Sequence, residues 1–321
     1  MILRSLLVAL ALAVASPALA APVEAELTAQ GPGGPLKGTL MTPQGAKDAP
    51  VVLIVPGSGP TDRNGDNPLG VAGSPLRRLA ADLAGLGVAS VRVDKRGQFG
   101  SAGASFGEAG PTAEAYAADV RAWIEEARKR TGARCIWLLG HSEGGLIVAL
   151  AAQKPDGVCG LVLVSTGGRK LGDIMREQIR GNPANPPFIV EQAERGFAEL
   201  EAGRRVDPSQ FHPGLQPLFA PAAQGLLMSE MALDPAELVR GFKGPVLVIQ
   251  GGNDIQIRMS DAERLSAARP GVKLVVIEGM NHAFRTSPAE MMATLASYGD
   301  ATAVNVPTLA PAIAEFVKAE R

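Results

Sequence analysis

Two hydrophobic rhythms alternate along the chain. Residues 23–29 alternate polar and apolar side chains, the period-two signature of a half-buried strand, and 36–41 fits its hairpin partner. Val51-Val52-Leu53-Ile54-Val55 is wholly apolar and ends in Pro-Gly, as a strand covered on both faces does. Comparable runs fall at 88–93, 135–139, 160–164, 246–249 and 272–277. Between them, apolar spacings of three and four mark helices over 74–86, 113–130, 144–153, 260–268 and 310–318. Two antiparallel strands followed by strand–helix alternation predict an α/β fold, a mostly parallel sheet with helices on both faces.

Residues 169–242 break this alternation and contain no convincing strand. Leu171, Ile174, Met175 and Ile179 share one helical face, as do Ile189, Ala193, Phe197 and Leu200. Asp234-Pro235-Ala236-Glu237 is a helix start, with Asp as the cap and Pro at the first position. The expectation is a helical cap, 169–242, inserted into a core made of 21–168 and 243–321. Such a cap would lie over one end of the sheet, where Phe211 and Phe219 would sort substrates by size.

The beginning of the chain carries a different message. Arg4, an apolar stretch over 6–15 and Ala18-Leu19-Ala20 form the three parts of a signal peptide, expected over 1–20 with cleavage near Ala20. The alternative is an uncleaved anchor, for which the apolar run is short. The expected destination is the periplasm or the exterior, without stable membrane insertion after cleavage.

Composition narrows the picture further. Hydrophobic residues make up 46% of the 321 positions and charged ones 20%, enough for a sizeable core and unlike a disordered chain. The net charge is −1 and aromatics are 4%, so neither a basic stripe nor stacking platforms for nucleic acid are present.

Ligands of such a sheet bind beyond the C-terminal ends of its strands, so the residues that follow the apolar runs come first. Gly140-His141-Ser142-Glu143-Gly144 places G-x-S-x-G between a buried strand and an apolar helix. The glycines permit a sharp turn that lifts the serine oxygen to the head of a helix. In a chain with 38 glycines so short a pattern also arises by chance, and a second copy, Gly103-Ala104-Ser105-Phe106-Gly107, lies in a loop with no strand before it. Context selects Ser142 over Ser105.

A serine nucleophile needs a base, and three histidines are available. His141 precedes the serine on a turn expected to point its side chain elsewhere, and His212 falls in the cap between Phe211 and Pro213 as a surface or packing residue. His282, just after the last apolar strand, is the candidate base. Asp254, after the penultimate strand, is the natural carboxylate partner, with Asp261 as runner-up. The order Ser, Asp, His is that of α/β-hydrolases. The oxyanion hole would take one backbone N–H from Glu143 and a second from the loop beginning Pro56-Gly57-Ser58, with Ser58 as donor. Asp62 and Arg63 read as a structural turn rather than as the mouth of the site. No cluster has metal-ligand spacing, no Gly-rich loop cradles phosphate, and no cofactor is called for.

Together these segments resemble the α/β-hydrolase superfamily, in particular its bacterial carboxylesterase-like branch related to serine aminopeptidase-type hydrolases. The resemblance rests on Pro56-Gly57-Ser58-Gly59-Pro60-Thr61-Asp62-Arg63, Asp94-Lys95-Arg96-Gly97, Gly140-His141-Ser142-Glu143-Gly144-Gly145, Gly252-Asn253-Asp254 and Asn281-His282. It implies an eight-stranded sheet, no cofactor, and hydrolysis of a small-molecule ester through an acyl-enzyme. The loop at Pro56-Gly57 departs from the pattern by lacking a His-Gly pair. An aminopeptidase is the alternative, with Glu191, Glu194, Glu199 and Glu201 available to hold an amino terminus, although their spacing reads as a solvated helical face. A non-catalytic binding protein on the same fold is the alternative of another class.

Cys135 and Cys159, the only cysteines, start two successive apolar runs. Neighbouring parallel strands would bring them within disulfide reach, and export would favour the bridge. A pair of reduced, buried thiols is the competing reading.

Overall fold

The computed structural model describes residues 22–45 and 48–320. The signal-peptide segment expected at 1–20 lies outside them. Eight strands form one sheet: β1 (Val23–Gly31), β2 (Gly34–Thr42), β3 (Val51–Val55), β4 (Ala89–Val93), β5 (Ile136–His141), β6 (Val158–Val164), β7 (Val246–Gly251) and β8 (Val272–Ile277). Their spatial order is β1-β2-β4-β3-β5-β6-β7-β8. The hairpin β1–β2 and the pair β2–β4 are antiparallel, and the other pairings are parallel.

Strand alternation divides the apolar runs between two layers. Val51, Leu53 and Val55 face a core built with α2 (Ala113–Thr131) and α3 (Glu143–Ala151). Val52 and Ile54 face the opposite core, built with α1 (Pro75–Gly85) and α10 (Leu309–Ala319). Every residue of β3 is buried, which is why it is continuously apolar, whereas β4, equally buried, carries Ser90 and Arg92 on one face, with the Arg92 guanidinium bonded to Glu24 and Asn64. Local chemistry sets the helix ends. Thr112 accepts a hydrogen bond from the Ala115 amide at 3.1 Å to start α2, and Gly132, at φ 75°, ends it beyond Arg128, Lys129 and Arg130.

Residues 169–242 carry α4 (Leu171–Gly181), α5 (Pro187–Glu201), α6 (Pro221–Met231) and α7 (Pro235–Gly241), with no strand. Ile189, Phe197, Leu200, Phe211, Leu215 and Phe219 close around one another in a separate small core. In contrast, Ala236 and Val239 of α7 pack into the main core, alongside Ala262 and Leu265 of α8 (Met259–Ser266). The last turn of this segment therefore belongs physically to the sheet's helix layer.

Helix α9 (Met291–Tyr298) escapes the hydrophobic pattern, as α6 does within the cap. In α9, Met291, Met292 and Leu295 are exposed, while Thr294 and Tyr298 are buried. Its apolar residues face water, so no inward stripe marks it in the sequence.

Cys135 and Cys159 are joined as a disulfide with Cα atoms 5.1 Å apart. The bridge staples the beginnings of β5 and β6, where an irregularity between Ile136 and Trp137 shifts the register.

Candidate active site

Ser142 stands between β5 and α3 at φ 54° and ψ −121°, a conformation costly for a residue with a Cβ. The surroundings over-determine it. The Ser142 amide donates to the Val164 carbonyl at 3.0 Å, and the Gly145 amide donates to the Ser142 carbonyl at 2.9 Å. A Cβ at Gly140 would run into the Gly144 backbone, and one at Gly144 into the Val55 carbonyl. The turn closes only because both positions are glycine.

His282 reaches the same place from the loop after β8. Asn281, fully buried, accepts hydrogen bonds from the Ala283 and Arg285 amides at 3.0 Å and donates to Ser297 Oγ at 2.8 Å. The Arg285 guanidinium, almost fully buried, donates to the carbonyls of Ala72, Ser297, Tyr298 and Asp300. These bonds lock a loop that would otherwise be free to move. Sequence reasoning singled out neither residue as a positioning group. The signal available was Asn281 itself, whose side chain readily organises a turn.

His282 Nδ1 and Asp254 Oδ2 are 2.9 Å apart, and both residues are buried. Asp254 Oδ1 accepts the Gln256 and Ile257 amides at 2.8 and 3.0 Å. Burial pushes the carboxyl pKa up, but His282 and the two amides outweigh it and hold it below the usual carboxylate range. Asp254 is thus an anion whose free oxygen faces the imidazole.

Asp261 is excluded from this role. Its carboxylate accepts the Gly168 and Arg169 amides at 3.0 Å and receives the Arg169 guanidinium at 3.0 and 2.8 Å. The other rejected candidates are equally occupied. Ser105 Oγ accepts the Gly107 amide at 2.9 Å in an exposed turn. His212 is exposed, with Nδ1 accepting the Gly214 amide at 3.2 Å. Asp62 closes a turn by accepting the Asn64 and Asp66 amides, and Arg63 pairs with Asp94 and Glu26.

His141 corrects the sequence reading, which turned its side chain away from the site. As the last residue of β5 it shares a face with Trp137 and Leu139, over which the His282 loop folds. Its Nε2 lies 2.9 Å from the His282 carbonyl oxygen, and its ring is 4.8 Å from the His282 ring and 4.6 Å from Phe284. Burial and the neighbouring His282 hold its pKa down at about 3, so it stays neutral. Only the N–H form of Nε2 can meet a carbonyl as a hydrogen bond, which identifies the tautomer.

Ser142, His141, His282, Ser58, Phe284 and Tyr298 line a cavity of about 110 Å³. A Cβ at Gly57 would come within 3.2 Å of Ser142 Cβ, so the 57–58 backbone passes directly against the serine. Glu143 is the first residue of α3, where the helix leaves amides without internal partners. Burial holds the Tyr298 phenol up at about 12, keeping it neutral.

The expectation for Phe211 and Phe219 does not survive. Phe211 is 5% exposed and Phe219 0%, and both are spent on the small core of the cap. Among the described residues, none of those lining the cavity comes from 169–242. A larger cleft, about 780 Å³, opens at the opposite end of the strands around Cys135 and Cys159, away from Ser142 and His282.

This geometry has relatives. A family model described as the alpha/beta hydrolase family matches residues 51–294. Esterase EstD of Thermotoga maritima is 27% identical over 292 residues, covering 84% of this chain, which spans 63% of that protein's length. Among solved structures, Est1E from Butyrivibrio proteoclasticus superposes with a TM-score of 0.57 at 18% identity, covering 92% of this chain and 98% of that one. The esterase Pf2001 of Pyrococcus furiosus gives 0.57 at 15% identity, over 93% and 91% of the two chains. With a sheet of this order, a strained serine at its centre and a family match over most of its length, the chain belongs to the alpha/beta hydrolase family.

Proposed function

We propose that this chain is a carboxylic ester hydrolase that works through an acyl-enzyme on Ser142. The observation that carries the reading is the buried Asp254–His282 pair opening onto the same cavity as a serine held in a strained turn. In this reading His282 Nε2 takes the Ser142 proton as the oxygen attacks the ester carbonyl. Asp254 holds Nδ1 protonated and stabilises the imidazolium that forms. The Ser58 and Glu143 amides receive the oxyanion. His282 returns the proton to the departing alcohol, and a water activated by the same base then releases the acid and restores Ser142.

A cavity of about 110 Å³ suits small or short-acyl esters. The naming of the Thermotoga maritima relative as an esterase adds support. An aminopeptidase would need carboxylates free to hold a substrate ammonium. Of the four cap glutamates considered for that role, Glu194, Glu199 and Glu201 are engaged by Arg180, Arg204 and Arg176, and neither they nor Glu191 line the cavity, which favours esters. The Cys135–Cys159 bridge supports an exported protein, since disulfides persist in oxidising compartments. Sequencing the amino terminus of exported protein tests cleavage near Ala20.

Fluorophosphonate labelling with p-nitrophenyl acetate hydrolysis tests the chemistry. Wild type and Ser105→Ala should label and turn over alike. Ser142→Ala should do neither, with turnover down by about a million-fold, as when comparable triads lose their nucleophile. Full activity in Ser142→Ala would end the proposal.

A further inference from the structure

Both residues assigned to the oxyanion hole are tied to one buried ammonium. Lys95 follows β4 in the run Asp94-Lys95-Arg96, whose flanking members are committed elsewhere. Asp94 receives Arg63, and Arg96 pairs with Asp119. Lys95 turns inward and is 7% exposed. Its Nζ donates to the Gly57 carbonyl at 2.7 Å and reaches Glu143 Oε1 at 3.3 Å, with the Tyr116 ring centroid 5.8 Å away. Placing an ammonium out of water is costly, and it persists only where partners are well placed.

The partner on the Gly57 side is informative. The Gly57 carbonyl and the Ser58 N–H belong to one peptide unit, and the chain has no cis peptide bonds among the described residues. In a planar trans unit the C=O and N–H point in opposite directions. Holding the oxygen against Lys95 therefore turns the Ser58 N–H away from the ammonium. Gly57 abuts Ser142 and Ser58 lines the cavity, so the peptide that carries this N–H borders the site. A positive charge on the carbonyl also polarises the peptide and strengthens the N–H as a donor. On the other side, the ion pair anchors Glu143, whose own amide is the second donor.

We infer that Lys95 is a positioning residue that orients both oxyanion donors, through the Gly57–Ser58 peptide and through Glu143. The inference rests on the hydrolase reading above but makes a separate demand. Orientation of the donors matters when charge develops on the substrate oxygen, not when substrate first binds.

The test compares wild type, Lys95→Met and Glu143→Gln, the last preserving the backbone amide and an acceptor for Lys95. Three quantities are measured with p-nitrophenyl acetate and a trifluoromethyl ketone that forms a tetrahedral adduct. For Lys95→Met, kcat should fall about a hundredfold, the scale of losing one oxyanion donor. KM should stay within about threefold, and the ketone should bind weaker by the same factor as the loss in kcat/KM. Glu143→Gln should show the same pattern with a smaller loss. Hydrogen exchange of residues 57–61 should quicken in Lys95→Met, which a folded variant reports whether or not it turns over. Wild-type kcat in Lys95→Met, or a lowered kcat with unchanged ketone affinity, overturns the inference. If wild type neither hydrolyses esters nor takes the fluorophosphonate, the hydrolase reading fails instead. The orienting bond is then judged by exchange alone, and unchanged exchange at 57–61 overturns it.

Discussion

The Asp254–His282 contact and the environment of Asp261 separate two carboxylates that sit seven positions apart on neighbouring segments. Asp254 spends one oxygen on two amides and turns the other to the imidazole. Asp261 spends both on Arg169 and two backbone amides. Asp254→Asn should lower kcat by about four orders of magnitude, because an amide in that position favours the wrong histidine tautomer. Asp261→Asn should leave kcat within a few-fold and lower Tm, since it removes the charge that answers a guanidinium. Steady-state kinetics and thermal melts on the two variants check this, and the reverse pattern would mean that the acid is misassigned. Placement after a strand was enough to rank these two residues from sequence. The partners that decide between them, Arg169 and His282, come from distant segments that no local pattern connects.

At the scale of elements, α6 brings a carboxylate from the cap into the core side of the site. Glu230 is 2% exposed, and its Oε1 has no hydrogen-bond partner. Burial and the charge of Glu143 push its pKa well above the ordinary 4.5, with Lys95 partly offsetting them, and Tyr116 feels the same cluster. A folded-state pKa above the unfolded one contributes stability that is full below about pH 4.5 and is lost as pH rises toward the folded value. Glu230→Gln removes that loss. The variant should melt higher than wild type at pH 8 and gain little at pH 4.5, at roughly 2–4 °C for each kcal/mol recovered. A gain that is equal at both pH values, measured by scanning calorimetry, would refute a neutral, buried Glu230. Cap helices α4 and α5 were legible from their apolar faces and α7 from its capping residues, but α6 was not, and neither was the destination of any of them. Phe211 and Phe219 look identical in sequence whether they line a cavity or fill a small core, because hydrophobic spacing reports burial and not the identity of the neighbour.

Across the whole molecule, the disulfide links two strand beginnings at the end of the sheet remote from Ser142. Closing a loop between residues 24 apart constrains the unfolded chain, which contributes about 3 kcal/mol in the chain-entropy model. Reduction should lower Tm by roughly 6–12 °C and leave ester turnover at 25 °C unchanged. Alkylating denatured, unreduced protein from its native compartment should label no thiol. Two labelled cysteines, or reduced protein with an unaltered melt, would remove the bridge from the stability of the fold.

The alternation of strand and helix, the strands buried on both faces and the elbow around Ser142 were all determined by the sequence itself. Their causes are local, in side-chain period, turn chemistry and glycines at close approach. Helix α9 escaped because its apolar side chains face water, so the period that marks other helices is missing. Tertiary structure alone decided that His141 packs on His282, that Cys135 meets Cys159, that the cap phenylalanines turn inward, and that Lys95 holds the Gly57 carbonyl. Each of these joins residues brought together by the stacking order of strands and loops. Hydrophobic pattern specifies which face is buried, whereas partner choice at that face is set by the packing of the whole chain.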